Sequence, residues 1–152
     1  MTFDLLDINV WLALHIPAHR HQTAAKHWFT SRGEAQCMLC RVTQMGLLRH
    51  FTNKAVMGES VLTIEQAWST LRNTRNVNRV GWLEEPATIE GRWEILSKPG
   101  THRGSWWTDA YLAAFAIGHD IRLVTFDRDF QRFERDGLNL LLLSTEEVPQ
   151  DS

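Results

Sequence analysis

The sequence predicts an α/β fold, a mostly parallel central sheet flanked by helices, with acids clustered at the carboxyl edge of the strands. Three observations carry that reading. Short β-rich apolar runs alternate with segments of helical periodicity along the whole chain. Right-handed crossovers would keep every strand's carboxyl end on one edge of such a sheet. Asp7 ends the first apolar run, Asp127 falls just past a later one, and Asp109 lies in the first turn of the helix between them. Ligands of open α/β sheets bind at that edge, so acids so placed suggest a site rather than a solvated surface.

In chain order, FDLLD (3–7) reads as a strand ending in an acid, and NVWLALH as a helix closed by Pro17. Asp7 is read equally well as the N-cap of that helix and as a catalyst. Asn9 either braces the acid by a hydrogen bond or begins the helix. Residues 22–30 give a narrow helical face, flanked by His15, His19, His21 and His27. Those histidines fall on both sides of Pro17, which favours surface positions over a metal site. AQCMLC (35–40) is the second strand, and its lone CxxC lacks the partner pair of a zinc site. Two small buried thiols are expected there. Residues 42–53 form the next helix, with Thr43 or Gln44 near the carboxyl edge.

Thr63 followed by Gln66 is a capping-box signature for a helix over 60–76. Arg72 and Arg75 near its end are the candidate phosphate contacts, or else charges that complement a helix C-terminus. VGWLEE (80–85) reads as a third strand, and Pro86 leads to a helix bearing Ile89, Trp93 and Leu96. The loop 98–107 runs into TDAYLAAFAIGHD, where Thr108 is the predicted N-cap and Gly118 the predicted stop. The helix dipole favours a carboxylate at Asp109. Ile121 to Phe126 make a buried strand, FQRFER two helical turns ended by Gly137, and LNLLLLS (138–144) the last strand.

Length and composition bound the reading. A chain of 152 residues with 43% apolar and 22% charged residues is expected to form a single domain over 1–152. The net charge of −2 gives no global basic field, though a local patch still suffices for an enzyme that takes RNA. No run approaches membrane-spanning length and no leader pattern opens the chain, so the cytoplasm is the expected compartment.

Three carboxylates meeting at one edge cannot all stay ionised unaided. A hard divalent cation, Mg²⁺ or Mn²⁺, resolves the conflict, activates water and stabilises an in-line phosphoryl displacement. Neither a Walker loop nor GxGxxG is present. A phosphorelay receiver would need a late phosphate-binding Lys, and none follows Lys98.

LLDINVWLAL, TQMGLLR, TDAYLAAFA and LVTFDRDF, in that order and spacing, resemble PIN-domain ribonucleases of the VapC toxin type. The resemblance covers essentially the whole chain. It implies a PIN-like fold and endonucleolytic RNA cleavage that depends on Mg²⁺ or Mn²⁺. It also implies a small VapB-like antitoxin partner and a homodimer, with no membrane role. Carried over residue by residue, Asp7, Asp109 and Asp127 match the family's metal-binding acids, with Asn9, Gln44 and Thr108 in support. One departure stands out: most such proteins carry Glu where this chain has Gly46. One acid fewer implies a weaker second metal site, unless Glu84 or Glu85 replaces the charge. The competing expectation is a catalytically impaired PIN-like scaffold that binds RNA or a partner protein.

Overall fold

The computed structural model describes residues 2–100 and 104–145. The centre of the 98–107 loop, with His102, and the polar tail lie outside the described residues. Five strands form one sheet: β1 (Phe3–Leu6), β2 (Gln36–Leu39), β3 (Val80–Trp82), β4 (Arg122–Thr125) and β5 (Leu140–Leu142). Their order is β3-β2-β1-β4-β5, and every neighbouring pair is parallel. The chain builds outward from β1 in both directions. The switch point of the topology therefore lies between β1 and β4, where open α/β sheets bind ligands.

Among the described residues, seven α-helices accompany the sheet: α1 (Ile8–His15), α2 (Gln22–Ser31), α3 (Arg41–Phe51), α4 (Lys54–Met57), α5 (Ile64–Arg75), α6 (Ile89–Ser97) and α7 (Trp106–His119). The period-2 alternation of the strands splits the core in two. Leu5 and Leu123 pack with α6 and α7 through Ala113, Phe115 and Leu96. Leu6 and Val124 point the other way, into a cluster with Trp11, Leu47 and Leu71 from α1, α3 and α5. Asp4 is fully buried in β1 and is neutralised by Arg32 at 3.1 Å and Arg122 at 3.0 Å.

Several local expectations hold and some move. Thr63 and Gln66 cap α5 reciprocally. Both cysteines are free and buried, and burial pushes the Cys37 thiol up to about 11. Helix α7 begins three residues earlier than predicted, because Ser105, not Thr108, holds the N-cap position. Trp106 draws that first turn inward: its ring is buried, and Nε1 donates to the Ser97 carbonyl at 2.7 Å. Nor does Gly118 end α7. Asp120 takes the left-handed C-cap, whereas a Cβ at 118 would lie 2.7 Å from Pro86 Cγ. Gly118 is thus set by close packing.

Candidate active site

Asp7 follows β1 at the switch point. Its Oδ1 accepts from the Ile8 amide at 2.7 Å, so it does cap α1. Its Oδ2 accepts from the Thr125 hydroxyl, also at 2.7 Å. The residue is 7% exposed. Burial raises its carboxyl to about 6; the Asp127 charge adds to the rise, against the two hydrogen bonds.

Asp109 reaches the same edge from the first turn of α7, which its own amide closes by donating to the Ser105 carbonyl at 2.8 Å. It too is buried. Burial first, then the charges of Asp7 and Asp127, raise its carboxyl to about 7. The Arg132 guanidinium, 3.7 Å from Asp109 Oδ2, opposes that rise. The Arg132 guanidinium itself lies over the Trp106 ring, 3.8 Å from the centroid.

Asp127 lies two residues past β4. Its Oδ1 accepts from the Asp129 amide at 2.9 Å and caps the 3₁₀ helix Arg128–Asp136. The three acids therefore form one electrostatic unit, each within reach of another's charge. They do not form a closed cage. Among the described residues, no three His, Cys, Asp or Glu side chains stand together as a ready metal site. Asp127 is engaged by its own helix turn, and Arg132 supplies countercharge to Asp109. The donor chemistry still fits a hard divalent cation: carboxylate oxygens whose charge is poorly compensated, two of them on carboxyls lifted toward neutrality.

The supporting residues divide. Asn9 Nδ2 donates to Thr125 Oγ1 at 3.3 Å, and its Oδ1 accepts from the Phe126 amide at 3.4 Å, so Asn9 ties α1 to the end of β4. Gln44 is buried and accepts from Arg41. Thr108 is the third residue of α7, beside Asp109. Glu84 and Glu85 are taken by other partners, accepting from Trp82 Nε1 at 2.8 Å and the Tyr111 hydroxyl at 2.7 Å. Arg72 and Arg75 occupy the last turn of α5, and among the described residues no hydrogen bond or ion pair joins them to the acids. The Arg75 guanidinium packs 4.5 Å from the ring of Trp82, the last residue of β3, which Arg41 also faces at 4.7 Å. Arg128, next to Asp127, is the nearer cation; with Arg20, His21 and Phe126 it lines a cavity of about 500 Å³. His15 departs from the surface expectation, since its ring bridges the Trp11 carbonyl at 2.7 Å and Thr74 Oγ1 at 2.6 Å.

Two site residues escaped the sequence reading. Thr125 is fully buried; it donates to Asp7, and its Oγ1 accepts from the Asp127 amide at 3.0 Å. A lone polar residue closing an apolar strand two positions before Asp127 was its only signal. Arg132 had none, because its role comes from the turn of a 3₁₀ helix.

A family model described as PIN domain matches residues 5–136. Ribonuclease VapC41 of Mycobacterium tuberculosis is 34% identical over 145 residues, covering 92% of this chain and 98% of the relative. Ribonuclease VapC39 of the same organism is 32% identical over 123 residues, covering 81% and 87%. In three dimensions the chain resembles the crystal structure of VapBC2 from Rickettsia felis bound to a promoter DNA fragment. That match has a TM-score of 0.64 at 16% identity, over 94% of this chain and 100% of the other. A second fold match, at a TM-score of 0.65 and 15% identity, is Mycobacterium tuberculosis VapC20, described as a sarcin-ricin loop cleaving toxin; it covers 89% of this chain and 95% of that one.

Proposed function

The chain belongs to the PIN-domain family, and from that membership we propose that it is an endoribonuclease, the toxin of a toxin–antitoxin pair. The observation that carries the mechanism is the gathering of Asp7, Asp109 and Asp127 near the switch point, where burial first and then the charges of the other two acids raise Asp109 to about 7. In this reading the three carboxylates hold Mg²⁺ or Mn²⁺. When bound, such an ion lowers the pKa of water and neutralises charge on a phosphodiester. The chain's own groups do the rest. Thr125 and the Ile8 amide fix both oxygens of Asp7, so its orientation costs nothing to recover. Asp109 approaches from α7 with its carboxyl raised to about 7, so near neutrality both its forms are populated, and a bound cation would favour the ionised one. Arg132 shields Asp109 meanwhile, and Arg128 and Arg20 offer positive charge to the RNA backbone beside Asp127.

The small VapB-like antitoxin and the homodimer belong to this proposal, as does a cytoplasmic location, where RNA targets are found. No helix among the described residues is long and apolar enough to cross a membrane. A non-catalytic scaffold would gain nothing from gathering poorly compensated carboxyls at one edge.

The test is single-turnover cleavage of structured RNA with Mg²⁺ or Mn²⁺, comparing wild type with Asp109→Asn. Cleavage by the wild type should stop in EDTA, and the variant should fall to background while remaining folded. Asp109→Asn cutting at the wild-type rate, or cleavage indifferent to EDTA, removes the metal mechanism.

A further inference from the structure

A second opening lies beside the acids, and the phosphodiester chemistry above does not use it. It is a cavity of about 370 Å³ whose walls include Ile8, Met45, Trp93 and Trp107, with Arg49 and Glu85 as its charged groups. It adjoins the acids on two sides. The Ile8 amide is hydrogen-bonded to Asp7, and Thr108, also on its wall, immediately precedes Asp109. Its floor depends on the absence of a side chain at Gly46, where a Cβ would lie 2.3 Å from Ile8 Cδ1. The residue that sets this chain apart from most of its type therefore shapes the cavity.

The walls are aromatic and fixed. Trp93 Nε1 donates to the Trp107 carbonyl at 2.9 Å, and the two rings stand edge to face at 6.3 Å. Tyr111 meets Trp93 edge to face at 5.4 Å and donates its hydroxyl to Glu85, which holds that carboxylate by one oxygen and leaves the other to accept. Trp107 is nonetheless 58% exposed, a large apolar surface left beside the reactive edge.

We infer that this cavity takes one unpaired nucleobase of the RNA substrate, next to the phosphate addressed by the acids. The inference rests on the ribonuclease reading above and adds to it how the strand is held. A base offers a π-face to Trp107 and an edge of donors and acceptors to Glu85 and Arg49. An apolar protein segment would use the aromatic walls but leave the two charged groups without purpose. The base is drawn out of its stack, which selects for loops and single-stranded stretches over continuous duplex.

The experiment measures binding of fluorescein-labelled 12-nucleotide oligoadenylate and oligouridylate, and of an abasic strand with the same backbone, by anisotropy in EDTA at low salt. Wild type should bind the base-bearing strands roughly 10-fold more tightly than the abasic one. Trp107→Ala should fall to the abasic level, and Trp107→Phe should keep most of the difference. Trp68→Ala, an exposed Trp on α5 outside the cavity, should match wild type. A base-dependent increment that survives Trp107→Ala overturns the proposal and leaves the cavity to a protein partner. Equal wild-type binding of abasic and base-bearing strands, with metal-dependent cleavage intact, overturns the pocket alone. Neither binding nor cleavage by wild type overturns the ribonuclease reading along with it.

Discussion

Thr125 Oγ1 lies 2.7 Å from Asp7 Oδ2 and also accepts the Asp127 amide at 3.0 Å, so one buried hydroxyl joins the carboxyl ends of β1 and β4. Removing it should cost more than a hydrogen bond. Thr125→Val keeps the shape but leaves a buried carboxylate oxygen and a backbone amide short of a partner. A stability loss of about 1–3 kcal/mol is expected by denaturant titration. Metal affinity or activity should fall by roughly 10- to 100-fold, as when an outer partner of a ligating group is lost. A variant as active as wild type would mean that Asp7 is oriented by the Ile8 amide alone.

The raised carboxyls make stability depend on pH in a fixed direction. Asp7 and Asp109 shift from 3.8 to about 6 and about 7, so the folded chain holds these protons more tightly than the unfolded one. Their contribution is complete below about pH 3.8 and is lost as pH rises through 6 and 7. His15 works the other way: burial lowers its pKa, so its share is recovered as pH rises toward 6.5. In EDTA the carboxyl share should therefore be lost between about pH 4 and 7, read as the melting temperature of wild type minus that of Asp109→Asn, since the lowered histidines His15, His19, His21 and His50 are common to both. Mn²⁺ should raise the wild-type melting temperature at pH 8 and leave that of Asp109→Asn nearly unchanged. A difference that stays level from about pH 4 to 7 contradicts the raised carboxyl of Asp109.

The three acids and their neighbours divide into what local pattern dictates and what only the packed chain creates. The positions of Asp7 and Asp127 just past strands, and of Asp109 in the first turn of a helix, were legible because apolar runs and helical periodicity mark those boundaries locally, and parallel order then fixes the edge. The parallel sheet and the Thr63–Gln66 cap followed from local pattern alone. The start of α7 did not, because Trp106 is anchored by Ser97, a contact made only after α6 has packed. Arg72 and Arg75 read as phosphate contacts by composition, but the Arg75 guanidinium packs on the Trp82 ring, a contact between α5 and β3 that local pattern does not show. Arg132 needed the 3₁₀ turn, whose period differs from the helical one assumed for that stretch.

Arg132 offers a third test. Its guanidinium stands 3.7 Å from Asp109 in place of a fuller countercharge. Arg132→Met keeps contact with Trp106 and deletes the charge. Without metal, the Asp109 carboxyl should rise further and the melting temperature should drop at pH 8. With the repulsion gone, Mn²⁺ should bind roughly 3- to 10-fold more tightly by calorimetry. Weaker Mn²⁺ binding in this variant would show that Arg132 orients Asp109 rather than competing for it.

The last prediction concerns Gly46, where the sequence resemblance leads one to expect a Glu. With three carboxylates and no fourth, wild type should bind one Mn²⁺ tightly, since the remaining charge is too small to hold a second. Glu84 accepts from Trp82 Nε1 and Glu85 from the Tyr111 hydroxyl, so neither is a free carboxylate. Restoring the acid is obstructed by packing: a Cβ at 46 meets Ile8 Cδ1 at 2.3 Å and Cγ1 at 2.9 Å. Gly46→Glu alone should therefore destabilise the fold by about 1–3 kcal/mol, the usual cost of overpacking. Ile8→Ala removes the obstructing atoms, and the double variant should recover part of that loss, giving a coupling energy between two residues in direct contact. It should also bind a second Mn²⁺, seen as a stoichiometry of about two where wild type gives about one. Two tight ions on the wild type would show that the three acids suffice. A double variant that stays at one would show that position 46 does not face the metal edge, and the lost Glu would then owe nothing to metal stoichiometry.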